Sequence, residues 1–106
     1  MLKCGTTWTQ ELTWLILNKA RVEECEKSAV HERSPFLDFP MILRAPEEKM
    51  HEFFDDLEKK PSRRIIKSHL PFELLPDGLE DKCKVIFVCR NVKDVVVSFY
   101  HFQAKL

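Results

Sequence analysis

An α/β fold is predicted, with helices laid on a parallel sheet and joined to its strands by right-handed crossovers. Two amphipathic helical stripes support it. So does "KVIFVC" (84–89), whose five consecutive apolar residues suit a strand buried on both faces. At 106 residues, 44% of them hydrophobic and 32% charged, the chain fits one small soluble domain rather than a disordered or fibrous protein.

Each element follows from local chemistry. Trp8, Leu12, Leu15 and Ile16 fall at i, i+4, i+7 and i+8 and predict a helix over about 6–18, with Trp14 and Leu17 widening the stripe. From Asn18 to about Arg44 the sequence is polar and irregular. That exceeds an ordinary connection and marks a functional or mobile loop. Pro46 reads as a first-turn proline, followed by Glu47 and Glu48 where the helix dipole favours acids. Met50, Phe53, Phe54 and Leu57 continue that helix, and Pro61 ends it.

"RRIIKSH" (63–69) predicts a short strand, and "PDG" (76–78) a turn in which the glycine accepts positive φ. Val95, Val96 and Val97 favour strand by propensity. Yet Val92, Val95, Val96 and Phe99 have helical spacing, and Asn91 with Asp94 resembles an N-cap and its partner, so a helix is predicted over about 92–105. A Gly-Thr-Thr turn opening a helix usually follows a strand, whereas only Met1 and Leu2 precede Lys3, and two strands are too few for an independent sheet. The expectation is therefore a partial domain over 1–106.

Seventeen basic and seventeen acidic residues cancel, so no global field points to nucleic acid or an anionic membrane, and any bound anion must be caught locally. No apolar run approaches the ~20 residues of a membrane span, and no secretory signal pattern opens the chain. Cys4, Cys25, Cys83 and Cys89 form no Cys-x-x-Cys pair. They read as free thiols in a reducing compartment, the cytosol, with no metal site.

Three clusters carry chemistry. In "KCGTTWTQE" (3–11), Gly5 lets the backbone approach an anion at a helix N-terminus; Thr6 and Thr7 add hydroxyls, Lys3 a mobile charge and Trp8 a flat face for a base. The same residues also fit an ordinary capped helix with a core tryptophan, and the Walker glycine-lysine spacing is absent. "KSHLP" places Lys67 and His69 at the end of one predicted strand. "CRNVKDVVVS" places Arg90 at the end of the other and Ser98 two turns into the next helix. Convergence of three strand ends on one edge makes an electropositive pocket containing one histidine.

Together "KCGTTWTQE", "RIIKSHLPFELLP" and "KVIFVCRNVKDVVVSFYHF" resemble the cytosolic sulfotransferase family, in the family's order and at similar intervals. "ERSPFLDFP" (32–40) resembles the family's variable stretch before its catalytic histidine. The resemblance implies a P-loop-like three-layer parallel sheet with flanking helices, here without its first strand and its C-terminal half. It implies 3′-phosphoadenosine 5′-phosphosulfate (PAPS) as co-substrate, no metal, and a small acceptor: a phenol, alcohol, steroid or amine.

Carried over by position, Lys3 contacts the phosphosulfate and stabilises charge on the departing oxygen, Thr6 and Thr7 bind the 5′-phosphate, and Trp8 stacks on adenine. Lys67 assists beside His69, the general base, and Arg90 and Ser98 grip the 3′-phosphate. Cys4 stands where many members carry serine. Phe36 and Phe39 fit two readings equally: lining an acceptor pocket with Lys67 and His69, or closing the core. The family's second adenine-contacting segment, its Arg-Lys-Gly-type loop and its dimerisation motif would lie downstream of Leu106. The alternatives are a truncated, non-catalytic nucleotide-binding fragment and an unrelated P-loop enzyme. His31 and His51 read as solvated, His101 as packing or capping, Phe53 and Phe54 as core, and Glu23–Lys27 as surface.

Overall fold

Helix α1 (Thr6–Leu17) begins where Gly5, at φ +93°, turns its carbonyl back to accept both the amide of Thr9 (3.1 Å) and its hydroxyl (3.2 Å). Such a backbone angle is one that residues with a Cβ rarely adopt. A computed structural model describes residues 3–106; Met1 and Leu2, on which the expectation about a strand before Lys3 bears, lie outside them. The remaining helices are α2 (Val22–Cys25), α3 (Val30–Arg33), α4 (Phe39–Ile42), α5 (Glu47–Lys59), α6 (Leu79–Lys82) and α7 (Val92–Gln103), with a 3₁₀ turn at Phe72–Leu74. The chain divides into two units, one of Gln10–Ser68, the other of His69–Leu106 with the described part of Met1–Thr9.

In the Gln10–Ser68 unit, α1 ends without a glycine. Lys19 (φ 55°) and Ala20 (φ 57°) take left-handed angles while the Ala20 amide reaches back to the Leu15 carbonyl (2.7 Å), the closure a helix C-terminus requires. The stretch expected to be irregular up to Arg44 contains three one-turn helices, α2, α3 and α4. α4 packs against α5. α5 starts at Glu47 with Pro46 outside it as the N-cap, a one-residue correction to the expected first-turn role. Met50 and Phe53 are half-buried and Leu57 is buried, so the predicted stripe faces inward, although Phe54 reaches the surface. Arg64 donates to the Leu57 carbonyl at 2.9 Å and so closes the helix C-terminus.

The inward face of α1 differs from expectation. Trp8 (78% exposed), Leu12 and Ile16 reach the surface, and the buried residue of the helix is Gln10. Its amide donates to the Ser34 hydroxyl (2.9 Å) and carbonyl (3.3 Å). Glu11 accepts two bonds from Arg33 (2.7 and 2.9 Å), and the same guanidinium lies 5.0 Å over Trp14. Spacing groups side chains onto faces; it does not say which face the rest of the chain covers. Here the α3 end of the loop covers the Gln10, Glu11 and Trp14 side with polar contacts.

The strand expectations are corrected too. Among the described residues, segment 63–69 keeps one parallel bridge, Phe36 to Lys67, with Lys67 donating to Pro35 (2.9 Å) and Leu37 donating to Lys67 (2.8 Å). Segment 84–89 joins no ladder among the described residues, and Phe87 is 85% exposed where burial on both faces was expected. A strand has no internal hydrogen bonds of its own; pairing requires neighbours, and none is placed beside this one within the described residues.

In the unit holding His69–Leu106, Gly78 (φ 69°) turns the chain into α6, as the Pro-Asp-Gly signal predicts. The triple-valine conflict resolves as helix. The Asn91 side chain accepts from the Lys93 amide at 2.9 Å and caps α7, which runs to Gln103.

Candidate functional site

Within one unit, residues distant in sequence meet at the turn before α1. Arg90 donates from its guanidinium to the Lys3 carbonyl at 3.3 Å, closing a separation of 87 residues. The Lys3 ammonium lies 4.8 Å over the Phe102 ring of α7. Lys3 itself has φ 60°, so two of three successive residues, Lys3 and Gly5, hold left-handed angles that curl the backbone ahead of the helix. Cys4 between them is buried.

This turn suits an anion. The first amides of an α-helix have no intrahelical acceptor, and the helix dipole places positive potential there. Among the described residues, its two chain neighbours aside, nothing lies within 4 Å of where a Cβ on Gly5 would project. Thr6 is half-buried, whereas Thr7 and Trp8 are exposed. Arg90 brings a guanidinium with five N–H donors, one of them engaged by Lys3. Ser98 is half-buried two turns into α7, and His69, also half-buried, belongs to this unit.

Lys67 and the two phenylalanines belong to the other unit, the division falling between Ser68 and His69. The Lys67 ammonium sits 4.4 Å over Phe36, whose ring is 6.4 Å from that of Phe39. Burial pushes the Lys67 pKa below the ordinary lysine value, and the negative charge of Asp38 pulls it back up. Phe36 is half-buried and Phe39 exposed, so the core-closing reading fails for Phe39.

Sequence reasoning missed Asp38, which is 3% exposed and accepts the Ser68 hydroxyl at 2.6 Å. Its signal was present: an acid set between Leu37 and Phe39 in an otherwise apolar stretch. It also missed Phe102, which an aromatic at the far end of a helix gives no local reason to pair with Lys3. The surface hollow lined by Ala20–Glu24 contains none of these residues, and two of its walls, Arg21 and Glu24, pair with each other at 3.3 Å.

Sequence comparison identifies the family. The sulfotransferase domain family matches residues 1–106, and the chain belongs to that family. Membership carries the α/β class expected from the sequence. The chain is 42% identical to sulfotransferase 1E1 of Homo sapiens over 101 residues, covering 94% of this chain and 32% of that protein. It is 44% identical to sulfotransferase 1B1 of Mus musculus over 102 residues, covering 95% of this chain and 32% of that one. Against sulfotransferase 1A1 of Rattus norvegicus the identity is 42% over 107 residues, covering 98% and 35%. The chain thus spans about a third of the length of the curated relatives it matches. No helix among the described residues is long and apolar enough to cross a membrane.

Proposed function

We propose that this chain carries the donor-phosphate turn and the base-bearing segment of a cytosolic enzyme that transfers a sulfuryl group from PAPS to a hydroxyl or amine of a small acceptor. One observation supports this above the rest: Arg90 and Lys3, at the start of the Lys3–Thr7 turn and 87 residues apart, are joined by a hydrogen bond ahead of the α1 N-terminus. A doubly phosphorylated nucleotide needs cationic and amide donors from more than one part of a chain, and this pairing provides both kinds.

The division of labour follows from residue chemistry. Gly5, Thr6 and Thr7 hold the 5′-phosphate through amides and hydroxyls, and Cys4, standing in the same turn, contributes its backbone amide. Arg90 and Ser98 hold the 3′-phosphate, where charge-assisted bonds are the strong ones. Trp8, with its exposed face, takes the adenine. Lys3 and Lys67 stabilise charge that develops as the sulfuryl group leaves, and His69 removes the acceptor's proton, imidazole being the side chain that ordinarily titrates near neutrality. Sulfuryl transfer resembles phosphoryl transfer in that positioning and charge stabilisation do most of the catalysis. Phe36 and Phe39 line the acceptor side.

Thermal denaturation with adenosine 3′,5′-bisphosphate tests the reading, since a ligand that binds only the folded state raises the melting temperature. The bisphosphate is expected to raise it more than ATP–Mg²⁺ does. An equal or larger effect of ATP–Mg²⁺ contradicts the proposal.

A further inference from the structure

Among the described residues, Asp38 is a buried carboxyl that the proposed transfer chemistry does not use. Asp38 is 3% exposed, and desolvating a carboxylate is costly unless hydrogen bonds or charges compensate. Its described neighbours supply such compensation. Ser68 donates its hydroxyl at 2.6 Å, and Lys67, next in sequence to Ser68, brings a positive charge. The backbone repeats the connection: Lys67 donates to Pro35, Leu37 donates to Lys67, and Phe36 pairs with Lys67 as a parallel bridge. The Lys67 ammonium then lies 4.4 Å from the centre of the Phe36 ring.

We propose that Asp38 is a positioning residue: its carboxylate, accepting the Ser68 hydroxyl, fixes the segment that carries Lys67 and holds the Lys67 ammonium over Phe36. This rests on the reading of Lys67 as a charge-stabilising group in sulfuryl transfer. A lysine on a four-carbon stem has many rotamers, and order at its tip must come from its surroundings. The Phe36 face supplies a cation–π contact and Asp38 a fixed negative charge. Asp38 is also the charge that opposes the effect of burial on Lys67, so it keeps the ammonium protonated to higher pH.

Lysine ε-carbon NMR of the full 106-residue chain, titrated with pH in the absence of nucleotide, tests the assignment; loss of one resonance in Lys67→Arg identifies Lys67. Asp38→Asn is expected to move the Lys67 midpoint to lower pH and to abolish the upfield shift that the Phe36 ring imposes on its ε-protons, and Asp38→Glu to restore part of both. Ser68→Ala, which keeps the carboxylate, is expected to lose most of the ring-induced shift while the midpoint moves less. An Asp38→Asn protein with native amide dispersion and an unchanged Lys67 midpoint overturns the proposal. Should Asp38→Asn not fold, a full ring-induced shift in Ser68→Ala overturns it instead. The readout needs no nucleotide, so it can fail while bisphosphate binding succeeds, and the reverse.

Discussion

Glu11 and Arg33 show what single residues contribute. Their bidentate pair holds α1 to the end of α3, and the Cys25 thiol donates to the same carboxylate at 3.0 Å. The hydrogen bond from Arg33, then that from Cys25, holds the Glu11 carboxyl below the ordinary carboxylate range. The Cys25 thiol is pushed up, chiefly because it donates to Glu11, so it stays protonated and is a poor nucleophile. A carboxyl with a lowered folded-state pKa contributes stability that is complete above its unfolded value and is lost as pH falls through the folded value. Urea denaturation between neutral pH and pH 3 should therefore show a shallower loss of stability on acidification in Glu11→Gln than in the wild type. Identical slopes would remove Glu11 from the acid-sensitive set.

His69 makes the residue-scale prediction about chemistry. In an active chain that contains residues 1–106, His69→Ala should lower turnover by about 10²–10⁴-fold, the usual contribution of a general base. Bisphosphate affinity should stay unchanged; a parallel loss of affinity would mean that His69 binds the donor rather than acting on the acceptor.

At the scale of elements, α7 rests on its cap. Asn91 satisfies an amide that no helical carbonyl can reach, and Asn91→Ala should cost about 1 kcal/mol in chemical denaturation. A loss near zero would mean that packing alone, through contacts such as Phe99 with Phe102 at 6.4 Å, holds the helix.

The three long helices were legible in the sequence because a 3.6-residue stripe, an opening proline with acids, or an asparagine cap is a local signal. Their endpoints were legible to within a few residues: α5 starts one residue after Pro46, and α7 stops at Gln103. The end of α1 carried no glycine to mark it, and Lys19 and Ala20 took its place. Segment 84–89 was legible as β-prone but not as unpaired, since pairing is decided by what lies beside a strand and not by the strand itself. Polar contacts such as Gln10 with Ser34 and Asp38 with Ser68 join residues 24 and 30 positions apart, and no spacing rule announces them.

For the whole molecule, formal net charge is zero, so any bound anion must be caught by a local cluster rather than by long-range attraction. On the proposed function a local grouping does this, and the Arg90–Lys3 contact at the start of α1 is the grouping it invokes. The grouping of Arg90 with the Lys3 turn was readable beforehand because each lies in a recognisable motif. The position of Phe102 against Lys3, and of Asp38 against Ser68, required the folded chain.

The central claim is that Lys3–Trp8 and Arg90–Ser98 bind one adenosine bisphosphate. Amide chemical-shift mapping during a titration with adenosine 3′,5′-bisphosphate tests it most directly, with Arg90→Ala as comparison. The account predicts shifts concentrated in those two segments. It also predicts an affinity loss in the variant of about 1.5–3 kcal/mol, roughly ten- to hundredfold, as for a charge-assisted phosphate contact. Shifts centred elsewhere, or an Arg90→Ala protein that binds as tightly as the wild type, would contradict it.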